Sequence, residues 1–237
     1  MSGYSPYDFI KNGKYEYARE PVGNDTYLGP EVRVEVLEGV NNGGKTFDMK
    51  KAFSLAIMAL SGSWVPAGYA RVSIRDKIIL REKGQGDVIS AMQQDCRNVK
   101  ETTPSDGGYW LIGLDETFTS TERKGGEALV YGTIQVYGAL QLVQSVLGQG
   151  QSLLIMSSHY LGLSNYFTED QRVTFNHFPF RKEIGVDGAT NLVFPYKKQK
   201  GPLQDHAYAI AVASSKGFDQ TILEYAKQRI EERSGEF

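Results

Sequence analysis

Eight residues, Gly39-Val40-Asn41-Asn42-Gly43-Gly44-Lys45-Thr46, constrain this chain more than any others, because of what flanks them. Upstream, Glu31 to Leu37 alternates Val32, Val34 and Val36 with Arg33 and Glu35, which predicts a strand. Downstream, Met49, Ala52, Phe53, Ala56, Ile57 and Leu60 recur at helical spacing, so a helix is expected to end near Leu60. The string fits G-x-x-x-x-G-K-S/T, the phosphate-binding P-loop. Strand, glycine loop and helix are the setting that motif requires. Glycine permits positive φ and close approach of the backbone to a phosphate. The turn aims backbone N–H groups at the anion, and the helix N-terminus adds the positive end of its dipole. The expected phosphate-binding residues are Gly39, Asn41, Asn42, Gly43, Gly44, Lys45, Thr46 and Phe47. Lys45 is placed to reach the β- and γ-phosphates of ATP, and the Thr46 hydroxyl to bind Mg²⁺.

A phosphate loop needs a partner that holds Mg²⁺ and a group that deprotonates water. Tyr109 to Leu114 is an apolar run fit for a strand buried on both faces, and it ends in Asp115-Glu116. Asp115 is expected to bind Mg²⁺, and Glu116 to act as general base.

The remaining pattern predicts an α/β fold with a largely parallel sheet. Residues 1–30 read as an irregular N-terminal segment carrying Tyr4, Tyr7, Tyr15, Tyr17 and Tyr27, expected to pack on the domain formed by residues 31–237. Ala70, Val72 and Ile74 alternate with Arg71, Ser73 and Arg75, predicting a strand with one wet face. Val88, Ile89, Met92 and Cys96 predict a helix from about Asp87 to Val99. Val130, Ile134, Tyr137, Leu140 and Val143 predict another over Glu127 to Leu147, closed by Gly148. Ser152 to Met156 reads as a buried strand. Two strand-like pieces follow around the Gly185 to Gly188 turn. Tyr208 to Ser214 and Phe218 to Arg233 read as helices. In the second, Ile222, Tyr225, Ala226 and Ile230 share a face, and Asp219 is the candidate N-cap.

Composition excludes several classes. A net charge of −2 argues against general nucleic-acid affinity. Cys96 is the single cysteine, so neither an intrachain disulfide nor a Cys-rich metal site can form. A reducing cytoplasm is the expected compartment, or the nucleus in a eukaryote. The polar N-terminus does not read as a signal peptide, and no apolar run is long enough for a membrane span. His177 and His206 lack metal-ligand spacing. Tyr196-Lys197-Lys198-Gln199-Lys200 reads as a solvated loop, as does the Arg71/Arg75 face.

Taken in order, these segments resemble the ATPase domain of MutS-type mismatch-repair proteins, a branch of the ABC-type P-loop ATPases. The family's G-P-N-M-G-G-K-S is matched by Gly39 to Thr46. Its G-S-Y-V-P-A-like step is matched by Gly62-Ser63-Trp64-Val65-Pro66-Ala67, and its Asp-Arg-Ile segment by Asp76-Lys77-Ile78. Asp115-Glu116 is followed by Thr119-Ser120-Thr121, similar to the family's Thr-rich D-loop. Its Ala-Thr-His-Tyr is matched by Ser157-Ser158-His159-Tyr160, and its V-P-N-D by Val22-Gly23-Asn24-Asp25. Tyr208 to Ala213, Gly217 and the last helix follow the family's closing helices. The likeness covers residues 7–233.

It implies an ATPase using Mg²⁺ with ATP, with His159 sensing the γ-phosphate. It also implies a homodimer or heterodimer closing through the ATP face, and contact with DNA through other domains or partners. Some positions depart from the pattern. Val40 replaces Pro, Asn42 replaces Met, and the D-loop lacks Gly-Arg-Gly. The signature loop, Lys83 to Ala91, is short, with Ser90 its one candidate. The family's mismatch-binding, connector and lever domains have no counterpart here, so this chain alone is not expected to read mismatches. Two alternatives follow: an ATP-binding dimerisation switch without turnover, and a MutS-like ATPase serving another nucleic-acid process.

Overall fold

The computed structural model describes residues 2–3, 22–103, 108–146, 152–160, 162–184, 190–203 and 208–234. Tyr4, Tyr7, Tyr15, Tyr17, Gly148, the Gly185 to Gly188 turn and His206 lie outside them. In chain order the strands are β1 (Ser2–Gly3), β2 (Asn24–Asp25), β3 (Val34–Gly39), β4 (Lys77–Arg81), β5 (Trp110–Leu114), β6 (Leu153–Ser158), β7 (Val173–Phe178), β8 (Arg181–Ile184), β9 (Thr190–Val193) and β10 (Gln199–Lys200). The helices are α1 (Lys45–Leu60), α2 (Val88–Thr102), α3 (Arg123–Val146), α4 (Tyr208–Ser215) and α5 (Gln220–Ser234), with a 3₁₀ turn at Leu163–Tyr166.

The central sheet runs β10-β7-β3-β6-β5-β4. All its pairings are parallel except β10 with β7. The expected α/β fold with a mostly parallel sheet is therefore what forms. Alternate side chains of the same strands feed two cores. On one face Leu37, Leu111, Leu153 and Ile155 pack on Met49, Phe53 and Ala56 of α1. On the other, Val34, Val36, Ile112, Leu114 and Met156 pack on Val130, Ile134 and Tyr137 of α3. Burial on both faces is why these strands read as apolar runs.

Topology then places the site. The chain leaves β3 for β4 at one edge, and leaves β6 for β7 on the other side of β3. Adjacent strands whose connections diverge open a crevice at their carboxyl ends, where open α/β sheets bind ligands. Gly39, Asp115 and His159 all lie at that end.

Four sequence expectations are corrected. Residues 70–75 form no strand; the edge strand β4 begins at Lys77, opposite Trp110 of β5. β3 starts at Val34 rather than Glu31, and Glu35 and Glu38 are buried, as is Arg33 before them. The solvated-loop reading of Tyr196 to Lys200 fails at Lys198. Its Nζ is buried and donates to Glu35 Oε1 and Asp48 Oδ2, each at 2.8 Å. Lys51 completes this buried network through Asp48 Oδ1 and the Asn24 carbonyl. The apolar residues of two helices are buried only in part, with Met92 and Val99 of α2 packed on the core. Val88 and Ile89 of α2 are exposed, while Ala91, Asp95, Asn98 and Thr102 face inward. In α5, Ile222 and Tyr225 are exposed and Leu223 is buried. The candidate N-cap Asp219 accepts from the Thr221 N–H as expected, and Asp87 caps α2 by accepting from the Ser90 N–H.

Candidate functional site

β3 delivers the chain to a tight loop from which α1 starts at Lys45. The Gly43 N–H closes the turn on the Val40 carbonyl at 3.1 Å. Asn42 adopts a left-handed φ of 63°, which Asn tolerates better than most residues. Gly44, the α1 N-cap, has φ 111° and gives the helix end no side-chain cap. A Cβ there would come within 3.3 Å of the Tyr196 ring. The first N–H groups of α1 lack intrahelical partners by construction, and the helix dipole adds partial positive charge, so this end suits an anion.

Lys45 is 3% exposed and turns back into the loop. Its Nζ donates to the Gly39 carbonyl at 2.6 Å and the Val40 carbonyl at 3.1 Å, and lies 3.5 Å from Glu116 Oε1. Burial lowers its pKa, with Glu116 and Asp115 acting in the opposite direction.

The carboxyl ends of β5 and β6 supply the rest. Asp115 accepts from the Thr46 hydroxyl at 2.8 Å through Oδ2 and from the Ser157 hydroxyl at 2.5 Å through Oδ1. A hydroxyl and a carboxylate joined in this way form a hard oxygen pair suited to Mg²⁺. That ion commonly takes one or two carboxylates and completes its shell with phosphate and water. Among the described residues no group of three His, Cys, Asp or Glu side chains could hold a metal by itself.

Glu116 takes φ 50° and Phe118 φ 64°, conformations disfavoured for residues with side chains. They are held in place. The Glu116 N–H donates to Ser157 Oγ, its carbonyl accepts from the Thr119 hydroxyl, and the Phe118 carbonyl accepts from the Tyr160 hydroxyl. His159 Nε2 lies 2.8 Å from Glu116 Oε1, and Lys83 Nζ lies 3.4 Å from Oε2. The His159 hydrogen bond and the charges of His159, Lys45 and Lys83 outweigh burial and draw the Glu116 pKa down to about 2.

Lys45, Thr46, Asp115, Glu116 and His159 thus meet at one place. Asn41 and Phe47 lie at the rim: Asn41 contributes its carbonyl to the Tyr208 hydroxyl at 3.2 Å, and the Phe47 side chain is exposed. Ser90 is occupied in capping α2, donating to Asp87 Oδ2. His177 bonds the Gly201 carbonyl outside the site.

Sequence reading missed Asp95. It is fully buried and accepts the Gly84 N–H at 2.7 Å and the Phe118 N–H at 2.8 Å, so α2 joins the loops after β4 and β5. The available signal was an acid on the same helical face as Ala91, Asn98 and Thr102.

Glu38, immediately before the loop, is buried, and its Oε2 accepts the Leu203 N–H at 2.7 Å. Its Oε1 has no partner among the described residues. Burial raises its pKa from 4.5 to about 7. A raised acid binds its proton more tightly when folded, so stability is lost as pH rises from about 4.5 through about 7. Glu38→Gln, which keeps an acceptor for Leu203, should raise unfolding free energy by about 3 kcal/mol at pH 8 and leave it nearly unchanged near pH 4.5. Chemical denaturation at both pH values checks this; equal effects at the two would contradict the charge argument.

The fold and site define a parallel-sheet α/β domain with an anion-suited glycine loop facing a carboxylate pair. The MutS domain V family matches residues 35–233, and the chain belongs to that family. It is similar to the DNA mismatch repair protein MutS of Fervidobacterium nodosum, 26% identical over 92% of this chain and 26% of the relative. It is also similar to the DNA mismatch repair protein MutS of Caldanaerobacter subterraneus, 27% identical over 89% of this chain and 23% of the relative. The chain spans about a quarter of the length of these curated relatives. Among the described residues no helix is long and apolar enough to cross a membrane.

Proposed function

We propose that this chain binds ATP with Mg²⁺ on an ABC-type P-loop and hydrolyses it. The observation that carries the reading is the 2.8 Å hydrogen bond between Thr46 of the glycine loop and Asp115, with Glu116 beside it. Glycine-loop N–H groups and Lys45 hold the phosphates. Thr46 and Asp115 hold Mg²⁺, which when bound neutralises phosphate charge. Glu116 orients and deprotonates the attacking water, and His159, hydrogen-bonded to Glu116, senses the γ-phosphate. Lys45 leaves the Gly39 and Val40 carbonyls to engage phosphate. The resemblance to the MutS family implies a further step: ATP closes a homodimer or heterodimer across this face, and hydrolysis reopens it, coupling the cycle to DNA through other domains or partners. We place the protein in the cytoplasm, or the nucleus of a eukaryote.

Phosphate release from ATP, measured with Mg²⁺ and with excess EDTA, tests the reading. Turnover with Mg²⁺ that EDTA abolishes is the expected result; ATP binding without turnover would refute hydrolysis. The second reading, an ATP-dependent dimerisation switch without turnover, draws on Ser90, whose hydroxyl is committed to Asp87.

A further inference from the structure

Lys83 stands on backbone that α2 fixes on both sides. The Glu82 carbonyl accepts from Asn98 Nδ2 at 3.2 Å, and the Gly84 N–H donates to Asp95 Oδ1 at 2.7 Å. Gly84 is required for this approach, because a Cβ there would sit 2.1 Å from the Ala91 carbonyl oxygen. From this base the lysine crosses to the end of the neighbouring strand. Its Nζ lies 3.4 Å from Glu116 Oε2, while Lys45 Nζ lies 3.5 Å from Oε1. One carboxylate therefore holds two ammonium groups, one on each oxygen. An exposed ion pair of this kind contributes little to stability, so stability does not explain the convergence. The Lys83 side chain is 54% exposed and has a long flexible stem, so it can turn to a new anion at small cost.

We propose that Lys83 is a γ-phosphate contact, a second lysine that acts with Lys45 on the terminal phosphate of a nucleoside triphosphate. The assignment rests on the nucleotide reading above and adds a specificity to it. A phosphoryl group between Lys45 and Glu116 lies beside Lys83 as well. A β-phosphate held deeper, in the glycine loop, does not. Lys83 therefore distinguishes triphosphate from diphosphate.

The test is titration of the wild type, Lys83→Ala and Lys83→Arg with a non-hydrolysable Mg–ATP analogue and with Mg–ADP. Lys83→Ala should weaken the triphosphate about tenfold, the loss of one charge-assisted hydrogen bond at a half-exposed site, and leave the diphosphate unchanged. Lys83→Arg should recover most of that loss. Equal weakening of both nucleotides would mark a structural role and overturn the assignment, as would no change in either. If the wild type binds neither nucleotide, the nucleotide reading falls and this assignment with it. If it binds both and the variant shows no triphosphate-specific loss, only the assignment falls.

Discussion

Glu116→Gln should lower ATP turnover about a thousandfold while leaving ATP bound, as expected when a general base of the proposed reaction is neutralised. The substitution is nearly isosteric. The backbone that positions residue 116 is held by Ser157 and Thr119 and does not depend on the carboxylate. The amide cannot accept water's proton. It also releases Lys45, whose ammonium lies 3.5 Å from Oε1, so affinity for the phosphates should hold or rise. Single-turnover hydrolysis with binding measured in parallel separates the two effects. Turnover within a few-fold of the wild type would remove Glu116 from the chemistry.

Asp95→Ala should cost about 4 kcal/mol of unfolding free energy, because two buried N–H groups lose a charged acceptor. Gly84 and Phe118 have that carboxylate as their partner, at 2.7 and 2.8 Å. The positive φ at Phe118, 64°, then loses one of its restraints. Asp95→Asn keeps the volume but presents an NH₂ group to one of the two donors, so it should be destabilising too, though less. Urea unfolding of the three proteins checks the order. An Asn variant as stable as the wild type would show that volume, not acceptor chemistry, matters at this position.

The sheet and the site were legible in sequence to different depths. The apolar runs Tyr109 to Leu114 and Ser152 to Met156 announce strands buried on both faces, formed as Trp110–Leu114 and Leu153–Ser158, and the residues after them fall at the sheet's carboxyl end. The glycine loop was legible because motif and flanking periodicity agreed. The errors share one cause: partners far away in the chain. Glu35 reads only as one residue of a strand, with nothing nearby to mark its partner. In the fold it meets Lys198, which lies 163 positions downstream. Residues 70–75 alternate as a strand should, but the register with β5 begins at Lys77. The inner face of α2 is polar, Asp95, Asn98 and Thr102, because two loops require acceptors and donors there. Met92 and Val99 pack on the core, so an apolar-face rule finds this helix but passes over Asp95. In α5, Leu223 rather than Ile222 meets the core, a choice that helical periodicity alone does not make.

Equilibrium binding of Mg–ATP to the wild type and to Lys45→Ala tests the central claim most directly. Lys45 is buried in the glycine loop with its charge turned toward Gly39 and Glu116. The account predicts saturable, Mg²⁺-dependent binding by the wild type and a loss of at least about a hundredfold in the variant, from removal of a desolvated cation on the phosphates. Equal binding by both proteins, or none by the wild type, would contradict it.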